Sequence, residues 1–67
     1  MRKANELLPQ YEVARIMGVS RSAVAQKIDA KHLEYQEIGG IRFVPWRAVV
    51  QWQKQRAERA RKLTEFL

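Results

Sequence analysis

Ser20, Arg21, Ser22 and Gln26 lie within one short stretch and have the hydrogen-bonding repertoire to read nucleic acid. A guanidinium donates in pairs to guanine, a carboxamide matches adenine, and hydroxyls or cations hold phosphate oxygens. The bland reading of the same residues is a solvated helix face with one charge at its start. Catalysis has no comparable support, because the chain offers no paired nucleophile and base, no phosphate-binding glycine loop and no carboxylate pair in a cleft. His32, the single histidine, has no partner at ligand spacing, so neither a metal nor another cofactor is expected.

These side chains need a rigid carrier, and residues 13–28, VARIMGVSRSAVAQKI, read as two helices joined at Gly18. Val13, Ala14, Ile16 and Met17 form an apolar stripe, Gly18 permits the left-handed end of a helix, and Ser20 can cap the next one. Val19 and Val24 are spaced to staple the second helix at its start. The pattern is that of a helix-turn-helix, with an ordinary helical hairpin as the competing reading. Helix one is expected over residues 9–17, with Pro9 in its first turn, and helix two over residues 21–30. Centring the buried face of helix two on Val24 and Ile28 turns Ser22, Ala25, Gln26 and Asp29 outward, with Arg21 at their flank. Lys27 stands where the pattern usually wants an apolar residue, and it counts as a further cation for DNA. Asp29 opposes phosphate and belongs at the margin of any groove.

Sixty-seven residues make one small domain with a modest core. No cysteine is present, which excludes disulfides and thiolate metal sites and suits a reducing compartment. No stretch reads as a signal peptide or membrane span, so a cytoplasmic protein without a membrane partner is expected. Thirteen Lys and Arg against seven Asp and Glu give a formal charge of +6, which favours a polyanionic partner.

Residues 1–8 are expected to be a flexible arm that becomes ordered at Leu8. After helix two, Leu33 tucks into the core. Gly39-Gly40 between runs rich in apolar and β-branched residues predicts a hairpin with strands at 35–38 and 41–44, its apolar side on the helices. Gly40 and Arg42 then sit where a wing can reach a groove or a phosphate. Pro45 is expected to open a third helix whose Trp46, Val49 and part of Trp52 fill the core. Residues 54–62, KQRAERARK, turn basic, with Lys54, Arg56, Arg59, Arg61 and Lys62 against Glu58 alone. The helix is expected to continue, either as a solvated tail or as one that contacts phosphate or another subunit. Leu63, Phe66 and Leu67 suggest docking at its end. The resulting layout is a flexible arm over 1–8, a DNA-binding domain over 9–53 and a basic helical extension over 54–67.

The order of Val13-Ala14, Ile16-Met17-Gly18-Val19-Ser20-Arg21-Ser22, Val24, Ile28, Leu33, Ile38-Gly39-Gly40, Phe43-Val44-Pro45 and Ala48-Val49 before Trp52 resembles the excisionase-like winged helix-turn-helix modules. These are relatives of MerR-type DNA-binding domains. The resemblance implies a mainly α fold with three helices and a two-stranded wing. Carried over by position, it implies base or phosphate contacts from Ser20, Arg21, Ser22 and Gln26, and wing contacts from Gly40 and Arg42. Lys27, Lys54 and Arg56 complete the expected DNA-binding set. The chain departs from the family at Pro9, often threonine, at Ala25, often bulky or basic, and at Lys31, often glycine.

Such modules act as excisionases, or recombination directionality factors, which bind repeated sites, bend DNA and help an integrase excise a mobile element. Double-stranded DNA, an integrase or recombinase, and neighbouring copies of the chain are the partners so implied. Three other readings stay open from the sequence. They are a small transcriptional repressor of a mobile element, the DNA-binding domain of a terminase small subunit, and a protein-interaction adaptor that uses its basic surface on an acidic partner.

Overall fold

The Leu8 side chain is buried opposite Val44, and this cross-strand pair joins the amino terminus to the middle of the fold. The computed structural model describes residues 1–65. Its elements are β1 (Leu7–Pro9), α1 (Gln10–Met17), α2 (Arg21–Asp29), β2 (Gln36–Ile38), β3 (Ile41–Pro45) and α3 (Trp46–Glu65). The strands form one antiparallel sheet in the order β1-β3-β2.

This sheet corrects the expected two-stranded wing. Leu7, Leu8 and Pro9 pair with Pro45, Val44 and Phe43, so the end of the predicted arm supplies a third strand. The residues before it are also bonded. Trp46 N–H donates to Glu6 O at 2.8 Å and Arg47 N–H to Ala4 O at 2.9 Å. The first N–H groups of a helix have no partner within it, and here carbonyls from the amino terminus take two of them. Arg2 adds ion pairs to Glu6 at 2.7 Å and Glu12 at 2.8 Å, and its guanidinium lies 5.5 Å from the Trp46 ring centre.

Both prolines sit one place earlier than expected. Pro9 ends β1 and occupies the position before α1, with an extended ψ of 157°, while Pro45 ends β3 and α3 begins at Trp46. In both cases the fixed φ suits a strand end, where no ladder N–H is missed.

The turn between α1 and α2 follows its residues closely. Gly18 is left-handed at φ 68°, Gly18 N–H donates to Arg15 O and Val19 N–H to Ala14 O, the paired bonds of a Schellman cap. Ser20 then caps α2 by accepting from Ala23 N–H at 3.0 Å. The other end of α2 repeats the Schellman pattern without a glycine. Lys31 N–H donates to Ile28 O, His32 N–H to Lys27 O, and Lys31 itself is left-handed at φ 61°.

The core gathers Leu8, Val13, Ala14, Met17, Val24, Ile28, Leu33, Val44, Ala48, Val49 and Trp52. Val13, Val24, Val44 and Val49 are fully enclosed, and burying such a side chain contributes about 1.5–3 kcal/mol. Trp46, expected in the core, is only half-buried against it, beneath Arg2. The hairpin also departs from expectation. Both central glycines have positive φ, as a type I′ turn requires, but Ile38 and Ile41 beside them are exposed.

α3 continues through the basic segment to Glu65. Its buried residues end at Trp52, and residues 53–65 are exposed. Leu63 is exposed, while Phe66 and Leu67 lie outside the described residues.

Candidate nucleic-acid interface

Val24 and Ile28 anchor α2 to the core, and the helical repeat then turns Ser22 and Gln26 to solvent. Arg21, the first residue of α2, is exposed and has no ion pair among the described residues. Ser20 is exposed as well. Its oxygen is engaged as an acceptor by the cap, which leaves the hydroxyl proton available to donate.

β3 reaches the end of this helix through one side-chain pair. Arg42 Nη1 donates to Asp29 Oδ1 at 2.6 Å, and the guanidinium lies 5.9 Å from the Tyr35 ring centre. The hydrogen bond to Asp29 pushes the Arg42 pKa further up, with the charges of Asp29, Tyr35 and Glu37 assisting. Glu37 is the residue directly opposite Arg42 across the hairpin. Arg42 thus ties the β2–β3 hairpin to the end of α2, and Asp29 is its counter-charge. At the tip, Gly40 is exposed with φ 78°, and a side chain there would meet nothing within 4 Å.

Arg21 and Arg42 come together around one open hollow of about 310 Å³ that also involves Tyr11, Ile41 and Phe43. Tyr11 and Ile41 are both more than half exposed. Tyr11 was not foreseen as a site residue. Its position two residues after Pro9, off the stripe of Val13, Ala14 and Met17, is the sequence signal that marks it as outward-facing.

The remaining cations separate into two groups. Lys27 is half-buried, with its ammonium 5.1 Å from the centre of the Trp52 ring, which explains how a lysine occupies an apolar position of the pattern. Arg56 Nη1 donates to Met17 O at 2.7 Å, satisfying a carbonyl at the end of α1. Both border a cleft with Trp52, Gln55 and Arg59. Lys54 instead lies with Ala57, Glu58 and Arg61. Arg59 reads in the sequence only as one charge of the basic tail, and its place beside Lys27 depends on how α3 packs on α2.

Among the described residues, no three His, Cys, Asp or Glu side chains cluster as a metal site, and no helix is long and apolar enough to cross a membrane. Compared with known protein families, characterised proteins and solved structures, the chain gives no match.

Proposed function

We propose that this protein is a winged helix-turn-helix module that binds double-stranded DNA, acting as an excisionase-like architectural factor rather than an enzyme. The observation that carries this reading is the outward face of α2, linked to an exposed hairpin turn by the Arg42–Asp29 pair in a chain of charge +6. An α-helix fits a major groove about 12 Å wide, where Arg21, Ser22 and Gln26 address base edges and Ser20 donates to phosphate. The exposed Gly39-Gly40 tip brings backbone close to the neighbouring groove.

Only three side chains on α2 are candidates for base reading, which is thin for a single monomer. Binding to repeated sites by neighbouring copies supplies the missing affinity and specificity. That arrangement, and the resemblance in the order of residues 8–52, support assistance to an integrase or recombinase in the cytoplasm of the host of a mobile element.

Gel-shift and circular-permutation assays on an attachment-region fragment test the proposal. Several bound species with displaced bend-dependent mobility are expected. A single isolated site on unbent DNA overturns the architectural role and supports a repressor, and absence of salt-sensitive duplex binding overturns the DNA reading itself.

A further inference from the structure

Lys27 and Arg59 come from different helices, yet both border one open cleft of about 300 Å³ between α2 and α3. From this arrangement we propose a second phosphate-binding site, in which Lys27 and Arg59 together hold the DNA backbone on the flank of the segment addressed by α2. The inference rests on the duplex-DNA reading above.

Charge and its surroundings define the ligand class. The cleft is bordered by Lys27, Trp52, Gln55, Arg56 and Arg59, without a carboxylate. None of the three cations has an ion-pair partner among the described residues. Like charges gathered in this way repel one another until an anion enters. Glu58, the nearest carboxylate in the sequence of α3, borders a different hollow with Lys54, Ala57 and Arg61. An open, cation-lined cleft with a carboxamide suits a solvated phosphodiester better than an apolar acid.

The supporting contacts set the spacing of these charges before any ligand arrives. Lys27 rests on Trp52, and Arg56 is tied to Met17 O, so α3 is fixed against both α1 and α2. Arg56 is therefore a positioning residue. Lys27 follows Gln26 by one residue, about 100° around α2, which puts it on the flank of the outward face. Lys62, three residues beyond Arg59, continues the row along the same side of α3 by about 4.5 Å.

The test is fluorescence anisotropy of the full chain on a labelled mixed-sequence duplex over a range of salt concentrations. Arg59→Gln is expected to flatten the plot of log K against log salt by about 0.9, the loss of one phosphate contact. Lys27→Gln should do the same and Lys27→Arg should restore the slope, while Arg61→Gln, on the other side of α3, keeps it. Thermal melting by circular dichroism confirms that each variant is folded, and Arg59 is exposed enough for its replacement to leave the core intact. A wild-type slope for Arg59→Gln, or equal flattening by Arg59→Gln and Arg61→Gln, overturns the cleft while leaving DNA binding standing. A wild-type chain that binds no duplex overturns both.

Discussion

Arg42 on β3 is hydrogen-bonded at 2.6 Å to Asp29, the last residue of α2, so the hairpin and the outward helix are tied through one exposed ion pair. In the DNA reading this pair balances two demands, because Asp29 positions the wing but also neutralises a cation that phosphate would attract. Asp29→Asn is expected to strengthen duplex binding and steepen its salt dependence by about 0.9, while Arg42→Ala weakens binding. Salt-dependent anisotropy measures both, and weaker binding by Asp29→Asn would show that positioning outweighs charge.

Arg21 is exposed and unpaired among the described residues, so its replacement reports on the ligand more than on the fold. If it reads a base, Arg21→Ala costs about 1–3 kcal/mol of affinity and relaxes the preference at one position. Binding selections on a randomised site check this. Equal weakening on every sequence would make Arg21 a phosphate anchor instead.

Lys31 holds a left-handed backbone conformation that glycine adopts without penalty. Lys31→Gly is expected to stabilise the protein by about 1 kcal/mol, which in a domain of this size raises Tm by about 4–8 °C. Differential scanning calorimetry at several salt concentrations separates this backbone effect from the loss of a positive charge.

Removing residues 1–6 takes away the carbonyls that accept from Trp46 and Arg47, along with the Arg2 ion pairs. The two backbone hydrogen bonds make an expected loss of about 2 kcal/mol, seen as a lower urea midpoint. Arg2→Ala alone should cost less, since its pair with Glu6 is exposed and its pair with Glu12 only part-buried. Unchanged stability on truncation would show that water replaces the two carbonyls fully.

Glu34 pairs with Arg47, and the hydrogen bond holds its carboxyl below the ordinary value of 4.5. Because the folded-state value is depressed, the stabilisation is complete above the unfolded value and fades as pH falls through the folded one. A small loss of stability below about pH 4.5 is therefore expected. Glu34→Gln should flatten that limb in urea titrations at a series of pH values. Both partners are well exposed, so the effect is modest and shrinks in high salt.

Local chemistry made much of this protein legible from its residues alone. Gly18, Ser20 and the apolar stripes specify a turn between α1 and α2, and Gly39-Gly40 specify a tight hairpin, because caps and turns depend on neighbours in the chain. The outward placement of Ser22 and Gln26 follows in the same way from the helical repeat. Long-range partnerships were not legible. Leu7 to Pro9 carry no strand signal of their own, and only pairing with β3 makes them part of the sheet. Arg56 reads as one more charge in a basic tail, yet the crossing of α3 sends it to Met17 O. Arg42 reads as a free cation of the hairpin, whereas the fold brings it to Asp29. Periodicity decides which way a side chain faces, whereas its partner depends on how separate elements pack, and that is a property of the tertiary structure.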